Sequence, residues 1–224
     1  MNRPRALKIY FAGDLFDHKD LAGNLLLANA VERLSGNRYQ LLLPQDGECE
    51  VVSRTSQSIR DEDFKLLFNS DLLIANFDGT DLDSGTVVEF CFAKMVDMPT
   101  VLLRTDFRDS GDHTLPDGEP WNLMCSHFPR TEVLYLNAMA RYHECRKNAG
   151  KAEELLTGFY TSIASDVVNA LDRVCQQKSW LGANELSRQY HVALKSVGGS
   201  VEAAFPDEAF EQLIASKSAT GLFQ

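Results

Sequence analysis

Residues 71–90 read DLLIANFDGTDLDSGTVVEF, and this stretch decides the class of fold. Its apolar run at 72–75 predicts a buried strand. An acidic loop follows, which contains Asp78, Asp81 and Asp83. Ser84-Gly85-Thr86 then opens a predicted helix, which carries Glu89 in its first turns. A strand that brings carboxylates and a helix N-terminus to one place is how open parallel sheets build small-molecule sites.

The alternation of strand and helix continues on both sides of this stretch. Strands are predicted at 7–13, 39–43, 71–77, 99–103 and 132–136, and helices at 21–34, 56–69 and 86–96. Such alternation favours right-handed βαβ crossovers and a sheet that is covered on both faces. The sequence therefore predicts an α/β fold, a flavodoxin-like doubly wound sheet of five parallel strands over residues 1–136.

Residues 137–224 show helical patterns only, and we interpret them as a helical C-terminal extension. An amphipathic stripe recurs at helical spacing through Leu155, Leu156, Phe159, Ile163, Val167, Leu171 and Val174. Two further helices are predicted near 184–196 and 207–216, separated by Val197-Gly198-Gly199-Ser200. Within the sheet domain, a long loop at 106–129 is rich in Gly, Asp and Pro. Loops of that length are usually functional or disordered.

Composition and charge exclude several classes of function. The formal net charge is -10 and the pI is near 4.9, which argues against a nucleic-acid polymer or an anionic membrane as partner. No apolar run reaches membrane-spanning length, and the basic cluster of Arg3, Arg5 and Lys8 has no apolar region behind it, so we do not expect it to be a secretory signal. The five cysteines are widely spaced and the five histidines lack metal-ligand spacing. We expect a cytoplasmic protein with no metal site and no cofactor.

Glu89 has two interpretations. The first is a capping box, in which Thr86 is the N-cap and Glu89 caps its own helix, although Asp83 or Ser84 could equally be a simple N-cap. The second is a carboxylate at the switch point between strands 1 and 3, in a crevice lined by 10–16 and 78–89. A Tyr10 hydroxyl and a helix N-terminus beside it would keep that carboxylate ionised and oriented, as a nucleophile requires.

Three further polar residues have both a structural and a functional interpretation. Asp63 is either a first-turn acid that favours the helix dipole or a catalytic acid. Asn122 is either a turn or cap residue beside core-filling Trp121, or a polar group that reaches into a pocket. Gln45, which follows the second strand, is a candidate for contact with a bound base.

These residues together resemble the nucleoside 2-deoxyribosyltransferase family. The resemblance rests on four segments, which are Lys8-Ile9-Tyr10-Phe11-Ala12-Gly13, Asn69-Ser70-Asp71, Asp83-Ser84-Gly85-Thr86-x-x-Glu89 and Pro120-x-Asn122-Leu123-Met124. They occur in family order over roughly the first 135 residues. The resemblance implies an enzyme that exchanges the base of a 2′-deoxynucleoside with a free nucleobase.

The resemblance also implies a role for each matching residue. Glu89 would be the nucleophile that attacks C1′, and Tyr10 would orient it. Asp63 would exchange a proton with the base, and Asp83 would bind the sugar hydroxyls. Asn122 would complete the 5′-hydroxyl site of a neighbouring subunit, which implies a homo-oligomer. Gly13 and Phe16, on the 10–16 side of the crevice, are predicted to contact the substrate.

Two alternatives stay open at this point. One is a relative that hydrolyses the N-glycosidic bond of deoxynucleosides or of their 5′-monophosphates. Relatives that act on the 5′-monophosphates are similar to this chain but have Ser at the position of Asp83. The Asp83 carboxylate would repel a substrate phosphate close to it. The other is a non-catalytic module that binds a nucleotide or a partner.

The sequence departs from the family pattern in two places. Phe90 follows the glutamate where family members usually have a small apolar residue. The chain also continues into its C-terminal extension, whereas compact members end with an aromatic residue that closes the site.

Overall fold

The computed structural model describes residues 5–47, 55–108 and 118–223. Within these ranges, five strands form one sheet, in which every neighbouring pair is parallel. The strands are β1 (Leu7–Ala12), β2 (Tyr39–Leu42), β3 (Leu72–Asn76), β4 (Thr100–Arg104) and β5 (Thr131–Tyr135). Their order across the sheet is β2-β1-β3-β4-β5. The predicted strands are confirmed, with bounds that differ by at most one residue at either end.

Helices connect and follow these strands. They are α1 (His18–Leu34), α2 (Pro44–Gly47), α3 (Ser56–Asn69), α4 (Ser84–Met95), α5 (Ala138–Asn148), α6 (Ala152–Cys175), α7 (Ala183–Val197) and α8 (Asp207–Ala219). Short 3-10 turns lie at Leu123–Cys125 and Glu202–Ala204. Throughout the described ranges, each helix is too short or too polar to span a lipid bilayer.

The central strands are buried on both faces, which is why their sequences are almost continuously apolar. Because side chains alternate along a strand, Tyr10 and Phe11 of β1 point to opposite faces of the sheet. Tyr10 pairs in register with Leu73 of β3, and Phe11 pairs with Ile74. The β1 strand ends beside Gly13, where an added Cβ would lie 3.0 Å from Cβ of Asn76. A glycine therefore lets the loop after β1 leave the sheet close to β3.

Two layers of helices cover the sheet. Helices α1 and α6 contact each other, and α6 contacts β4 and β5 on one face. Helices α3, α4 and α7 form the other layer, where α4 contacts β1 and β3. The arrangement is the predicted flavodoxin-like fold. Its switch point lies between the carboxyl ends of β1 and β3, where chain connections leave in opposite directions.

The C-terminal extension is helical, as predicted, and its long helix buries most of the predicted stripe. The buried positions include Leu155, Ile163, Val167, Leu171 and Val174. Leu156 is an exception, since its side chain is 45% exposed although it has the same angular position on the helix as the buried Val174. The domain boundary after residue 136 stays a prediction.

The end of the extension is fixed at the amino end of the sheet. Arg130, which directly precedes β5, donates a 2.6 Å hydrogen bond to the carbonyl oxygen of Leu222. The same guanidinium lies 5.3 Å from the ring centroid of Phe223. Arg130 also forms a buried ion pair with Asp97 at 2.6 Å. The aromatic residue near the C-terminus therefore packs at the edge of the sheet opposite to the carboxyl edge.

Candidate active site

Helix α4 begins one turn before Glu89 and presents that residue to the switch point. Its N-cap is Asp83, whose Oδ2 accepts hydrogen bonds from the backbone N–H of Thr86 at 2.7 Å and from Thr86 Oγ1 at 2.9 Å. The interpretation of Thr86 and Glu89 as a capping box was therefore wrong, and the simple N-cap at Asp83 is confirmed. Thr86 lies inside the helix, which leaves the Glu89 carboxyl group for another partner.

That partner is Tyr10. The Tyr10 hydroxyl donates a short hydrogen bond to Oε1 of Glu89. The Tyr10 ring is fully buried between β1 and the α3/α4 layer, so its hydroxyl is held at a fixed position. A fixed donor restricts the rotamers of the carboxyl group that it contacts. Sheet and helix thus orient Glu89 together.

The surroundings of Glu89 disfavour the ionised form of its carboxyl group. The pKa of Glu89 is raised to about 8, chiefly by burial and also by the charges of Asp63 and Asp83, whereas the hydrogen bond from Tyr10 lowers it. The sequence had predicted a carboxylate that stays ionised. The structure corrects this expectation, because burial and two neighbouring acids outweigh the donor.

Asp63 and Asp83 lie near Glu89 from two different helices. Asp63 is a half-buried residue of α3, and its charge acts on the Glu89 carboxyl group. Asp83 acts on it from the loop before α4, with one carboxylate oxygen already bound by Thr86. The structure therefore brings Tyr10, Asp63, Asp83 and Glu89 together. Thr86, which fixes Asp83, was not singled out from the sequence.

The loop after β1 forms another side of this site. It contains the half-buried Gly13 and the exposed Phe16, whose side chain is 76% accessible. Asp14 lies between them, and its pKa is raised by burial and then by the charge of Asp83. Sequence reasoning missed Asp14, although an acid directly after the strand-ending Gly13 was a usable signal.

Two predicted substrate-binding residues have other contacts in this structure. The Gln45 amide donates to the carbonyl oxygen of Leu21 at 3.1 Å and contacts Asn24 at 3.5 Å, both on α1. Asn122 is exposed and accepts a hydrogen bond from Met124 N at 2.9 Å, so it caps a 3-10 turn. None of these bonds involves Glu89.

Asn122 lies beside α4, on a face different from that of Glu89. It lines a cavity of about 620 Å³ together with Ser84, Val87 and Val88 of α4. The exposed apolar side chains of Leu123 and Met124 follow Asn122 directly, with exposed fractions of 54% and 74%. This surface is apolar and lies next to the site.

Asp78 of the acidic loop is engaged in a structural contact. Its Oδ1 accepts from the backbone N–H groups of Thr105 and Asp106 at 2.5 and 2.8 Å, and Oδ2 accepts from Thr105 Oγ1 at 2.8 Å. These bonds join the end of β3 to the end of β4. Asp78 still lies close enough to the crevice for its charge to raise the pKa of Asp14, as the charge of Asp83 does.

Phe90, which directly follows Glu89, packs in the core. Its side chain is fully buried and makes edge-to-face contacts with Phe77 and Phe128, at centroid distances of 5.8 and 5.1 Å. Aromatic pairs of this geometry stabilise a core beyond simple area burial. Helix α4 is thus fixed against the sheet by the residue next to Glu89.

The fold and this site define a class of protein, an α/β domain that presents a tyrosine-bound glutamate at the switch point of a flavodoxin-like sheet. Among the residues described, no group of three or more His, Cys, Asp or Glu side chains is arranged to hold a metal ion. The family model for nucleoside 2-deoxyribosyltransferase matches residues 9–124, just over half of the chain. The chain belongs to this family. Membership points to a nucleoside 2-deoxyribosyltransferase-like activity, with nucleosides and nucleobases as substrates.

Solved structures resemble the chain at low identity. A conserved protein from Enterococcus faecalis V583 is 23% identical, with 75% of this chain and 98% of that chain covered and a TM-score of 0.47. A 2-desoxiribosyltransferase from Leishmania mexicana is 21% identical, with coverages of 56% and 89% and a TM-score of 0.44. A 2-deoxyribosyltransferase from Bacillus psychrosaccharolyticus is 20% identical, with coverages of 45% and 74% and a TM-score of 0.39. No curated protein matches the chain.

Proposed function

We propose that this chain exchanges the nucleobase of 2′-deoxynucleosides through a covalent deoxyribosyl intermediate on Glu89. The observation that carries the proposal is the hydrogen bond from the buried Tyr10 hydroxyl to the Glu89 carboxyl group. Asp63 lies close enough for its charge to act on the same group. A fixed carboxyl group with a second acid nearby is the pair that glycosidic bond exchange with retention requires.

In the first displacement, the ionised Glu89 attacks C1′ of the deoxynucleoside. The C1′–N bond breaks, and its electron pair leaves with the nucleobase. Asp63 donates a proton to the departing base, which leaves as a neutral molecule. Glu89 is then joined to C1′ as an ester, with inverted configuration at that carbon.

The second displacement reverses these roles. Nitrogen of a second nucleobase attacks C1′, and the C1′–O bond to Glu89 breaks with its electron pair returned to the carboxylate. Asp63, now ionised, accepts the proton that the incoming base loses. Two inversions restore the original configuration. Tyr10 acts in both steps, because its hydrogen bond stabilises the carboxylate that attacks and the carboxylate that leaves.

Asp83 is assigned to the sugar hydroxyls. Its Oδ2 is bound by Thr86, whereas Oδ1 accepts no hydrogen bond from the described residues. A carboxylate oxygen of this kind accepts hydrogen bonds from sugar hydroxyls but repels a phosphate. We therefore assign free 2′-deoxynucleosides as substrates. Gly13 and Phe16 are assigned to the wall of this pocket, and Gln45 to the base.

Asn122 is assigned to the 5′-hydroxyl site of a second subunit. In its own chain it is exposed and beside the apolar residues Leu123 and Met124. Exposed apolar side chains next to a polar group are typical of an interface that is covered in an assembly. A homo-oligomer that buries this surface would bring Asn122 into a neighbouring site and would exclude water from the intermediate.

The test is a product analysis. The protein is incubated with a 2′-deoxynucleoside, with and without a second free base, and all nucleosides, bases and free deoxyribose are separated. The proposal predicts a new deoxynucleoside that forms only when the second base is present. Free base and deoxyribose alone, in both incubations, would instead identify a hydrolase. Neither product from a broad panel of substrates would leave a non-catalytic binding module.

A further inference from the structure

The C-terminal extension contacts the first turns of helix α3, which carries Asp63. Between residues 56 and 63, the one buried side chain is that of Asp61, which is 1% exposed. Its Oδ2 accepts hydrogen bonds from Ser200 N at 2.7 Å and from Ser200 Oγ at 2.9 Å. The two residues are 139 positions apart in the chain. One oxygen of a buried acid in the sheet domain is thus bound by the extension, whereas the other, Oδ1, accepts no hydrogen bond from the described residues.

A second side chain of α3 reinforces this contact. The Arg60 guanidinium donates a short hydrogen bond to the carbonyl oxygen of Val197, at the end of α7. It also pairs with Oδ1 of Asp61 at 3.2 Å and lies 5.5 Å from the ring centroid of Phe64. Two neighbouring residues of α3 therefore bind both ends of the segment 197–200, which we call the 197–200 turn.

Gly199 lets the 197–200 turn approach α3 this closely. Its φ is +64°, a backbone conformation that side-chain-bearing residues rarely adopt. A Cβ at this position would lie 2.6 Å from Oδ2 and 2.7 Å from Oδ1 of Asp61. Backbone conformation and space therefore both require glycine here.

The charge of Asp61 is retained despite its position. Burial works against ionisation, but the hydrogen bonds from Ser200 and the charge of Arg60 bring the pKa of Asp61 below its usual value. A buried carboxylate that is hydrogen-bonded and paired in this way is costly to displace, because no other partner replaces the lost bonds. The contact is therefore a specific one.

The remainder of α3 is held differently. Phe64, Leu67 and Phe68 are buried in the core, so packing fixes the second half of the helix. The first half has no buried apolar side chain, and Asp63 lies at its end. A rotation of α3 by about 20° would move a side chain at a radius of about 5 Å by roughly 2 Å. Misplacement of a catalytic group by about 1 Å can cost about 100-fold in rate.

We propose that the 197–200 turn of the C-terminal extension positions Asp63 by holding the first half of α3 through Asp61 and Arg60. The inference rests on the proposed function of Asp63 as the acid that serves the base. Asp61 is a positioning residue in this scheme, since it acts through the helix and has no contact with the substrate. The extension thereby contributes to the site from the other side of α3.

The test uses Gly199→Ala in the full chain, with Gly36→Ala as its matched control. Gly36 has a φ of +62° but nothing within 4 Å of an added Cβ, so both variants carry a similar backbone cost and only one displaces Asp61. Ser200→Ala and Ser200→Thr form a second pair, because threonine keeps the hydroxyl donor. Hydrogen exchange of the amides in 56–63 and the kinetics of base exchange are both measured, at a temperature where all variants are folded.

We expect Gly199→Ala to lose amide protection in 56–63 and to lower kcat by about tenfold or more, with KM changed by less than about threefold. Ser200→Ala should do the same to a smaller extent, and Ser200→Thr should restore both. If Gly199→Ala keeps its amide protection in 56–63, or loses it with kcat unchanged, the positioning role is overturned. The proposed function would not be affected by either result. A wild-type protein with neither base exchange nor base release would overturn the proposed function, and the positioning role with it.

Discussion

The Tyr10 hydroxyl donates a hydrogen bond to the Glu89 carboxyl group across 79 residues of sequence. This bond joins β1 to the first turns of α4, at the switch point of the sheet. It opposes the effects of burial and of two nearby acids, which together raise the pKa of Glu89 to about 8. Glu89 is therefore oriented by its partner and is ionised only in part near neutral pH.

Removal of the Tyr10 hydroxyl should make Glu89 harder to ionise. The hydrogen bond favours the carboxylate, so Tyr10→Phe should move the rising limb of the pH–rate profile to higher pH, above the limb near 8 of the wild type. At pH 7 we expect kcat/KM for base exchange to fall by about tenfold. Tyr39→Phe, which removes a hydroxyl bound to Asp172 far from the site, is the control and should leave the limb unchanged. An identical limb in Tyr10→Phe would show that this bond does not govern ionisation.

Glu89→Gln should stabilise the fold at alkaline pH. The pKa of Glu89 rises from an ordinary 4.5 to about 8 on folding, so the wild type loses stability as pH rises from 4.5 to 8. The variant has no charge to bury, and at pH 8 its free energy of unfolding should be higher by roughly 1–3 kcal/mol. Near pH 4 the two proteins should unfold alike in denaturant titrations. Glu144→Gln, on the exposed face of α5, is the surface control, and equal stability of all three proteins at pH 8 would contradict the prediction.

The position of each predicted element followed from local patterns, and so the fold was predictable. Apolar runs mark the buried strands, and helical spacing marks α1, α3 and α6. The N-cap of α4 was less certain, because both Asp83 and Thr86 suit an N-cap by residue type. The hydrogen bonds that Asp83 accepts from Thr86 decided between them, and the Glu89 carboxyl group is bound by Tyr10 instead. Such a contact joins distant segments, and no local pattern encodes it.

The charge state of the site was not predictable for the same reason. The raised pKa of Glu89 depends on burial and on Asp63, which comes from another helix. The contact of Asp61 with Ser200, and that of Arg130 with Leu222, likewise join segments far apart in sequence. The pair Gly198-Gly199 was visible as a break between helices. The close contact between Gly199 and Asp61 could not be predicted from the sequence.

Asp83→Asn should weaken the discrimination of the enzyme against substrates that carry a 5′-phosphate. Asparagine keeps the N-cap of α4, so the fold should be retained, but the charge that repels phosphate is gone. We expect the ratio of kcat/KM for a deoxynucleoside to that for its 5′-monophosphate to fall by about tenfold or more. Asp81→Asn, in the exposed part of the same loop, should leave the ratio as it is. A ratio that does not change in Asp83→Asn would remove the basis for assigning free nucleosides.

Subunit mixing should restore activity if Asn122 acts across an interface. Glu89→Gln and Asn122→Ala should each be nearly inactive alone. In a mixed dimer, one site combines an intact Glu89 with the partner's intact Asn122. Equal mixing should then give about a quarter of the wild-type activity, since half of the dimers are mixed and each has one intact site. Activity that stays at the level of the separate variants, with subunit exchange verified by mass, would place Asn122 outside the neighbouring site.

Mass spectrometry of the quenched protein tests the central claim most directly. Wild-type protein is mixed with a 2′-deoxynucleoside in the absence of a second base, denatured rapidly and digested. We predict a mass increase of one deoxyribosyl group on the peptide that carries Glu89, which disappears when a second base is added before quenching. Glu89→Gln should give no adduct. Base exchange by the wild type with the adduct on another residue would contradict the assignment of Glu89 as nucleophile.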